Sequence, residues 1–150
     1  TCALPIYNSY RSGDDVNAFH WQDKAKFKPV FDYVRGLIEL RRKHPAFRMT
    51  NRRDIDDSIT VNALHNNEKS GVIYTLYRNH ANDDEWKTII VIYNATTIDN
   101  YNVNDSLPAS ENGVWNIVVN HEHAGVDVLA VVKSGYVPPL KSHSMMVLYT

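Results

Sequence analysis

Cysteine is almost missing from this chain: Cys2 stands alone among 150 residues, so no intrachain disulfide can staple the fold and the redox compartment stays undetermined. A surplus of charge of one sign is missing too. Sixteen Lys+Arg against seventeen Asp+Glu leave a net charge of −1, which provides no electrostatic footprint for nucleic acid and no polybasic attraction to a membrane surface. No apolar run approaches the roughly 18 residues of a spanning helix, and the start lacks the basic stretch and apolar core of an export signal. There is no internal repeat, low-complexity segment or Gly-rich phosphate loop. An initiator Met is also lacking, and Thr1 opens in mid-pattern, as expected of a piece of a longer protein; the cellular address is therefore not legible. What is present is ample apolar material, 43% against 22% charged, which suits one domain, or one plus a fragment. Such a chain can hide about 70% of its surface on folding.

The stretch 7–23 mixes Asn, Ser, Gly and Asp with Tyr7, Tyr10, Phe19 and Trp21 and holds no sustained period, so it reads as an ordered loop. From Phe27 the pattern changes. Phe27, Val30, Phe31, Val34, Leu37, Ile38 and Arg41 recur at i, i+3, i+4, i+7 spacing, which predicts an amphipathic helix with Pro29 in its first turn. Arg41, Arg42, Lys43 and His44 complement the carbonyl end of its dipole, and Pro45 stops it. A connector over 50–58, with one helical turn capped by Thr50, leads to residues that read as β throughout. Seven strands are expected, over 59–65, 71–78, 88–94, 98–103, 114–120, 126–132 and 144–149. Their spacing predicts an antiparallel β-sandwich. Alternation in 114–119 assigns Trp115, Ile117 and Val119 to the core face, and the unbroken apolar run 88–93 predicts a central strand covered on both sides.

Hydrolysis of a glycosidic bond needs two carboxylates about 5–5.5 Å or 6.5–9.5 Å apart. Asp14, Asp15 and Asp23 share one short loop with no second rigid element aiming another acid at it, while Asp54, Asp56, Asp57 and the run Asp83-Asp84-Glu85 read as solvated connector and turn residues. His121-Glu122-His123 lacks the helical H-E-x-x-H spacing of a metal pair and reads as a solvated turn; His20, His44, His65, His80 and His143 are scattered. Ser142-His143-Ser144 has neither a nucleophile elbow nor partners. The basic cluster Arg35, Arg41, Arg42, Lys43, Arg48, Arg52 and Arg53 is explained by the helix end and the neighbouring aspartates. Asn94-Ala95-Thr96 and Asn104-Asp105-Ser106 match the glycosylation acceptor pattern, which matters only in a secreting eukaryotic host. The polar-aromatic loop 8–17 has the composition of sugar recognition, with aromatic faces for pyranose rings and amides and carboxylates for hydroxyls; held by its own Asx turns, it is equally an ordinary loop.

From Asn8-Ser9-Tyr10-Arg11-Ser12-Gly13-Asp14-Asp15-Val16-Asn17 through Phe19-His20-Trp21, and again over Phe31-Asp32-Tyr33-Val34-Arg35-Gly36-Leu37-Ile38-Glu39-Leu40 to His44-Pro45-Ala46-Phe47-Arg48, the chain resembles the C-terminal end of type I pullulanases. These belong to the alpha-amylase superfamily of glycoside hydrolases. Val91-Ile92-Tyr93-Asn94-Ala95, Gly113-Val114-Trp115-Asn116, Ala124-Gly125 and Val137-Pro138-Pro139 before 144–149 extend the likeness. The family usually has Asp where His20 precedes the tryptophan, and residues 1–6 match nothing expected there, so they are set aside as a truncation or assembly scar.

The resemblance implies a mainly β fold class: an antiparallel β-sandwich over 50–150, preceded over 1–49 by the rim loop and last helix of a β/α barrel. It implies that Asn8, Tyr10 and Asp14 lie at the substrate cleft, that the catalytic acids lie upstream, and that the parent hydrolyses α-1,6 linkages of an α-glucan with retention. The partners implied are that polysaccharide or oligosaccharide and the barrel itself. No cofactor is called for, and calcium in the complete enzyme is not legible from this end. The fragment alone should be inactive, and Phe31, Val34 and Ile38 should expose apolar surface in it. Two other readings share these residues: a freestanding carbohydrate-binding sandwich with Trp86 and Trp115 as sugar platforms, and the corresponding part of an isoamylase or branching enzyme.

Overall fold

The computed structural model describes residues 10–63, 72–78 and 84–150. Asn8, His65, His80, Asp83 and the segment 1–6 therefore lie outside the described residues. The chain divides into two compact units, Thr1–Phe31 and Asp32–Thr150.

In the first unit the expected loop contains two single helical turns, α1 (Asp14–Asn17) and α2 (Asp23–Lys26). Gly13 is the N-cap of α1, its carbonyl accepting from the amides of Val16 and Asn17, each at 3.1 Å. Asn17 Nδ2 donates to Ser12 O at 2.8 Å, closing the turn from the other side. The ammonium of Lys24 lies 4.4 Å from the centroid of the Phe31 ring.

Helix α3 runs Lys28–Lys43, with Pro29 in its first turn and Arg41, Arg42 and Lys43 in its last, and the backbone turns out at His44 before a 3-10 turn at Pro45–Arg48. Its two faces have different fates. Gly36 and Leu40 are buried and Tyr33 and Leu37 pack with them against the sheet, whereas Val30, Phe31, Val34 and Ile38 are 39–62% exposed. The periodicity that predicted the helix thus marks mostly the open face. A glycine is required at position 36: a Cβ built there would stand 1.8 Å from the carbonyl oxygen of Ala124. Beside this contact Tyr33 donates its hydroxyl to Asn120 O at 2.9 Å. Helix α4 (Arg52–Ser58) replaces the expected single turn, and its cap is Asn51 rather than Thr50, since the Asn51 side chain accepts from Arg53 N at 2.9 Å.

The rest is antiparallel β, in agreement with the expected class. Strands β1 (Ile59–Ala63), β2 (Val72–Arg78), β3 (Thr88–Asn94), β4 (Val114–Val119), β5 (Ala130–Lys133) and β6 (Ser144–Tyr149) join in one sheet ordered β1-β2-β3-β6-β4-β5. β3 is central and covered on both faces, as its unbroken apolar run implies: Ile90 and Ile92 enter one core, Ile89 and Val91 the other. The first core is closed by irregular chain, with Val103, Val137 and Leu140 buried over Trp115, Ile117 and Leu148. Of the expected strand 98–103 only a bridge remains, Tyr101 to Leu140, because Asn100 takes a left-handed φ of 60° that interrupts extended backbone. The second core holds Leu40, Ala46, Trp86, Val118, Val119 and Val147. Val119 was expected beside Trp115 and Ile117. It faces the opposite core because the β4–β6 register shifts between Ile117 and Val119: the extra residue of this bulge turns Val118 and Val119 to the same side.

Candidate functional site

In the loop of the first unit, Tyr10 is 88% exposed and Asp14 is an exposed residue in the first turn of α1, where its charge favours the helix N-terminus. Asn8, the third residue expected to contact substrate, lies outside the described residues. Phe19 and Trp21 add a feature that local composition does not reveal. Their rings meet edge to face with centroids 4.8 Å apart, and both are 76% exposed. An open aromatic surface of this kind can stack on the face of a sugar ring.

The second unit carries a buried polar cluster where a solvated turn was expected. Asp84 has a side chain only 1% exposed, and its carboxylate bonds His44 Nδ1 at 2.9 Å, Ala46 N at 3.2 Å and Trp86 N at 3.0 Å. Its partners lie up to 40 residues away in sequence, which is why local turn composition misled. The His44 ring stacks on Trp86 at 3.5 Å, and Trp86 stacks on Tyr149 at 3.9 Å. This arrangement fastens the end of α3 to the sheet and leaves no face of Trp86 for a sugar. Trp86 is 6% exposed and Trp115 1%, so burial bears out Trp115 as a core residue and overturns the alternative reading of the two as sugar platforms.

The remaining candidates are structural. Asn120 Oδ1 accepts from the amides of Glu122 and His123, each at 2.8 Å, and His121, Glu122 and His123 are exposed around this turn. Among the described residues no group of three His, Cys, Asp or Glu side chains could hold a metal ion. Asp54, Asp56 and Asp57 belong to α4, where Arg52–Asp56 and Arg53–Asp57 form exposed pairs of little energetic weight. An open cavity of about 400 Å³ between the second half of α3, α4 and the sheet is lined by Leu37, Phe47, Tyr77, Tyr93 and Met145 among others, with no carboxylate or imidazole among the described residues that line it. Burial, followed by the neighbouring Tyr93, pushes the Tyr77 hydroxyl above the ordinary tyrosine value, and burial does the same for Tyr33.

Comparison with known proteins bears on the β region directly. The family profile described as "Pullulanase, all-beta domain" matches residues 60–123. A curated pullulanase of Bacillus subtilis (strain 168) is 38% identical over 91 residues, covering 61% of this chain and 12% of the relative. The solved pullulanase from Bacillus acidopullulyticus superposes on 95% of this chain with a TM-score of 0.77 and 35% identity, covering 16% of that protein. The type I pullulanase from Bacillus subtilis str. 168, solved with maltose, covers 97% of this chain at a TM-score of 0.75 and 27% identity, and 19% of its own length. The chain therefore spans only a small part of each relative. Within that part, sequence and fold agree: residues 60–123 match the pullulanase all-beta domain profile, and the fold follows that of the solved pullulanases.

Proposed function

We propose that the chain is part of a starch- and pullulan-debranching hydrolase, one that cleaves α-1,6-glucosidic linkages in pullulan, limit dextrins, amylopectin or glycogen with retention. The observation that carries this reading is the match of residues 60–123 to the pullulanase all-beta domain. The open apolar face of α3 supports it, because Val34 and Ile38 form the stripe expected to meet a partner surface. In this reading residues 1–49 end a β/α barrel and 50–150 form the β domain beside it. The barrel supplies the nucleophile and the general acid, the two carboxylates such chemistry needs. Asn8, Tyr10 and Asp14 belong to a rim loop of the cleft, where the Tyr10 ring and the Asp14 carboxylate, both exposed, engage an α-glucan chain. The maltose held by the Bacillus subtilis relative is a fragment of such a chain.

Electrophoresis of the 150-residue chain through native gels containing pullulan or amylopectin tests the division of labour. Migration unaffected by the polysaccharide, together with a raised KM when Tyr10→Ala or Asp14→Asn is placed in the full-length parent, is the expected result. Strong retardation of this chain by either polysaccharide would instead make it a freestanding binding module.

A further inference from the structure

Both glycosylation acceptor triplets of the sequence end in built positions. Asn94, the last residue of β3, is 1% exposed. Its Nδ2 donates to Ile98 O at 3.0 Å and to Lys141 O at 2.8 Å, and its Oδ1 accepts from Thr96 N at 3.0 Å and Thr96 Oγ1 at 2.6 Å. Thr96 Oγ1 in turn accepts from Ile98 N at 3.1 Å. The carboxamide is thus saturated, and it joins the 94–98 loop to residue 141, 47 positions along the chain. Asn104 plays a similar part: its Nδ2 donates to Val137 O at 3.2 Å and its Oδ1 accepts from Val137 N, a pairing that copies a strand contact.

We infer that the Asn94 triplet cannot accept an N-glycan in the folded protein, because its carboxamide is a saturated, buried cross-link. Transfer from a lipid-linked oligosaccharide diphosphate forms a bond between the sugar C1 and Nδ2, breaks the C1–O bond to the diphosphate, and releases one Nδ2 proton. At Asn94 both Nδ2 protons are committed to backbone carbonyls, and the Thr96 hydroxyl that completes the acceptor pattern is committed as well. A glycan would need to displace at least one buried hydrogen bond and pass out through a site with almost no exposed surface. Chains modified at Asn94 before folding would lose the fastening between the two loops and remain unfolded.

The test is secretion of this chain from a glycosylating eukaryotic host, with one extra acceptor triplet appended as a C-terminal tail to report that the transfer machinery has reached it. Monomeric soluble protein is separated from aggregate and glycopeptides are mapped in each fraction. The expected result is an occupied tail with Asn94 unmodified in the monomer, any glycan at Asn94 being confined to the aggregate. A glycan at Asn94 in the folded monomer would overturn the inference.

Discussion

Replacing Gly36 by alanine sets two effects of opposite sign against each other. In a helix interior alanine is favoured over glycine by about 1 kcal/mol, so an unobstructed site would be stabilised. At position 36, however, the new Cβ meets Ala124 O at 1.8 Å and Ala124 C at 2.5 Å. A comfortable carbon–oxygen approach is about 3.3–3.6 Å, so helix and turn must separate by about 1.5 Å. The obstructing atoms are backbone, and no side-chain rotation relieves them. Overpacking of this kind costs about 1–3 kcal/mol, and separation also strains the 2.9 Å bond from Tyr33 to Asn120 O. That bond contributes about 0.5–1.5 kcal/mol. Against the helical gain, the net expectation is destabilisation by about 1–3 kcal/mol. Urea unfolding followed through tryptophan fluorescence reads this as a lower midpoint with an unchanged slope. Gly125→Ala is the control, since nothing lies within 4 Å of its added Cβ, and it should leave the midpoint nearly unmoved. A raised midpoint for Gly36→Ala would refute the close approach of α3 to the 120–125 turn.

Asp84→Ala strips His44, Ala46 and Trp86 of a buried acceptor and should cost about 2–4 kcal/mol, lowering Tm by roughly 5–15 °C in a calorimetric scan. The two faces of α3 should respond differently: Leu40→Ala loses about 2–5 kcal/mol, whereas Val34→Lys with Ile38→Lys stays within about 0.5 kcal/mol in this chain, both read from urea midpoints. On the alkaline side, Tyr33 and Tyr77 hold their protons more tightly folded than unfolded, so their contribution is complete below the ordinary value of 10.0 and is lost as pH rises beyond it. Asp99 has the opposite sign. The amide of Ser142 holds its carboxyl below the ordinary value of 3.8, so its contribution is present at neutral pH and fades as pH falls through that range; Asp99→Asn should flatten this acidic limb of a stability–pH curve.

Elements set by local periodicity were legible in the sequence. Helix α3 follows from apolar spacing with Pro29 and Pro45 at its ends, and β3 from an apolar run too short for a buried helix. Features decided by tertiary contact were not. Consecutive valines at 118 and 119 carry no mark of the bulge that turns both to one core, and Asp84 looks like any turn aspartate until its partners beside the end of α3 are known. Nor does periodicity say which face of α3 meets the sheet: Tyr33, Gly36 and Leu40 do, while the more apolar stripe stays open. The expectation that Asn8, Tyr10 and Asp14 lie at a cleft rests on resemblance. Composition alone marked the loop of Tyr10 and Asp14 as suited to sugars, but the exposed pairing of Phe19 with Trp21 required the fold of the turn.

The central claim, that this chain supports catalysis supplied by a barrel rather than performing it, is tested most directly by release of reducing ends from pullulan. The 150-residue chain should release none alone, yet restore hydrolysis when joined to the Bacillus subtilis relative in place of the matching segment. Hydrolysis by the isolated chain, or a folded chimera with intact catalytic carboxylates that leaves pullulan uncut, would contradict it.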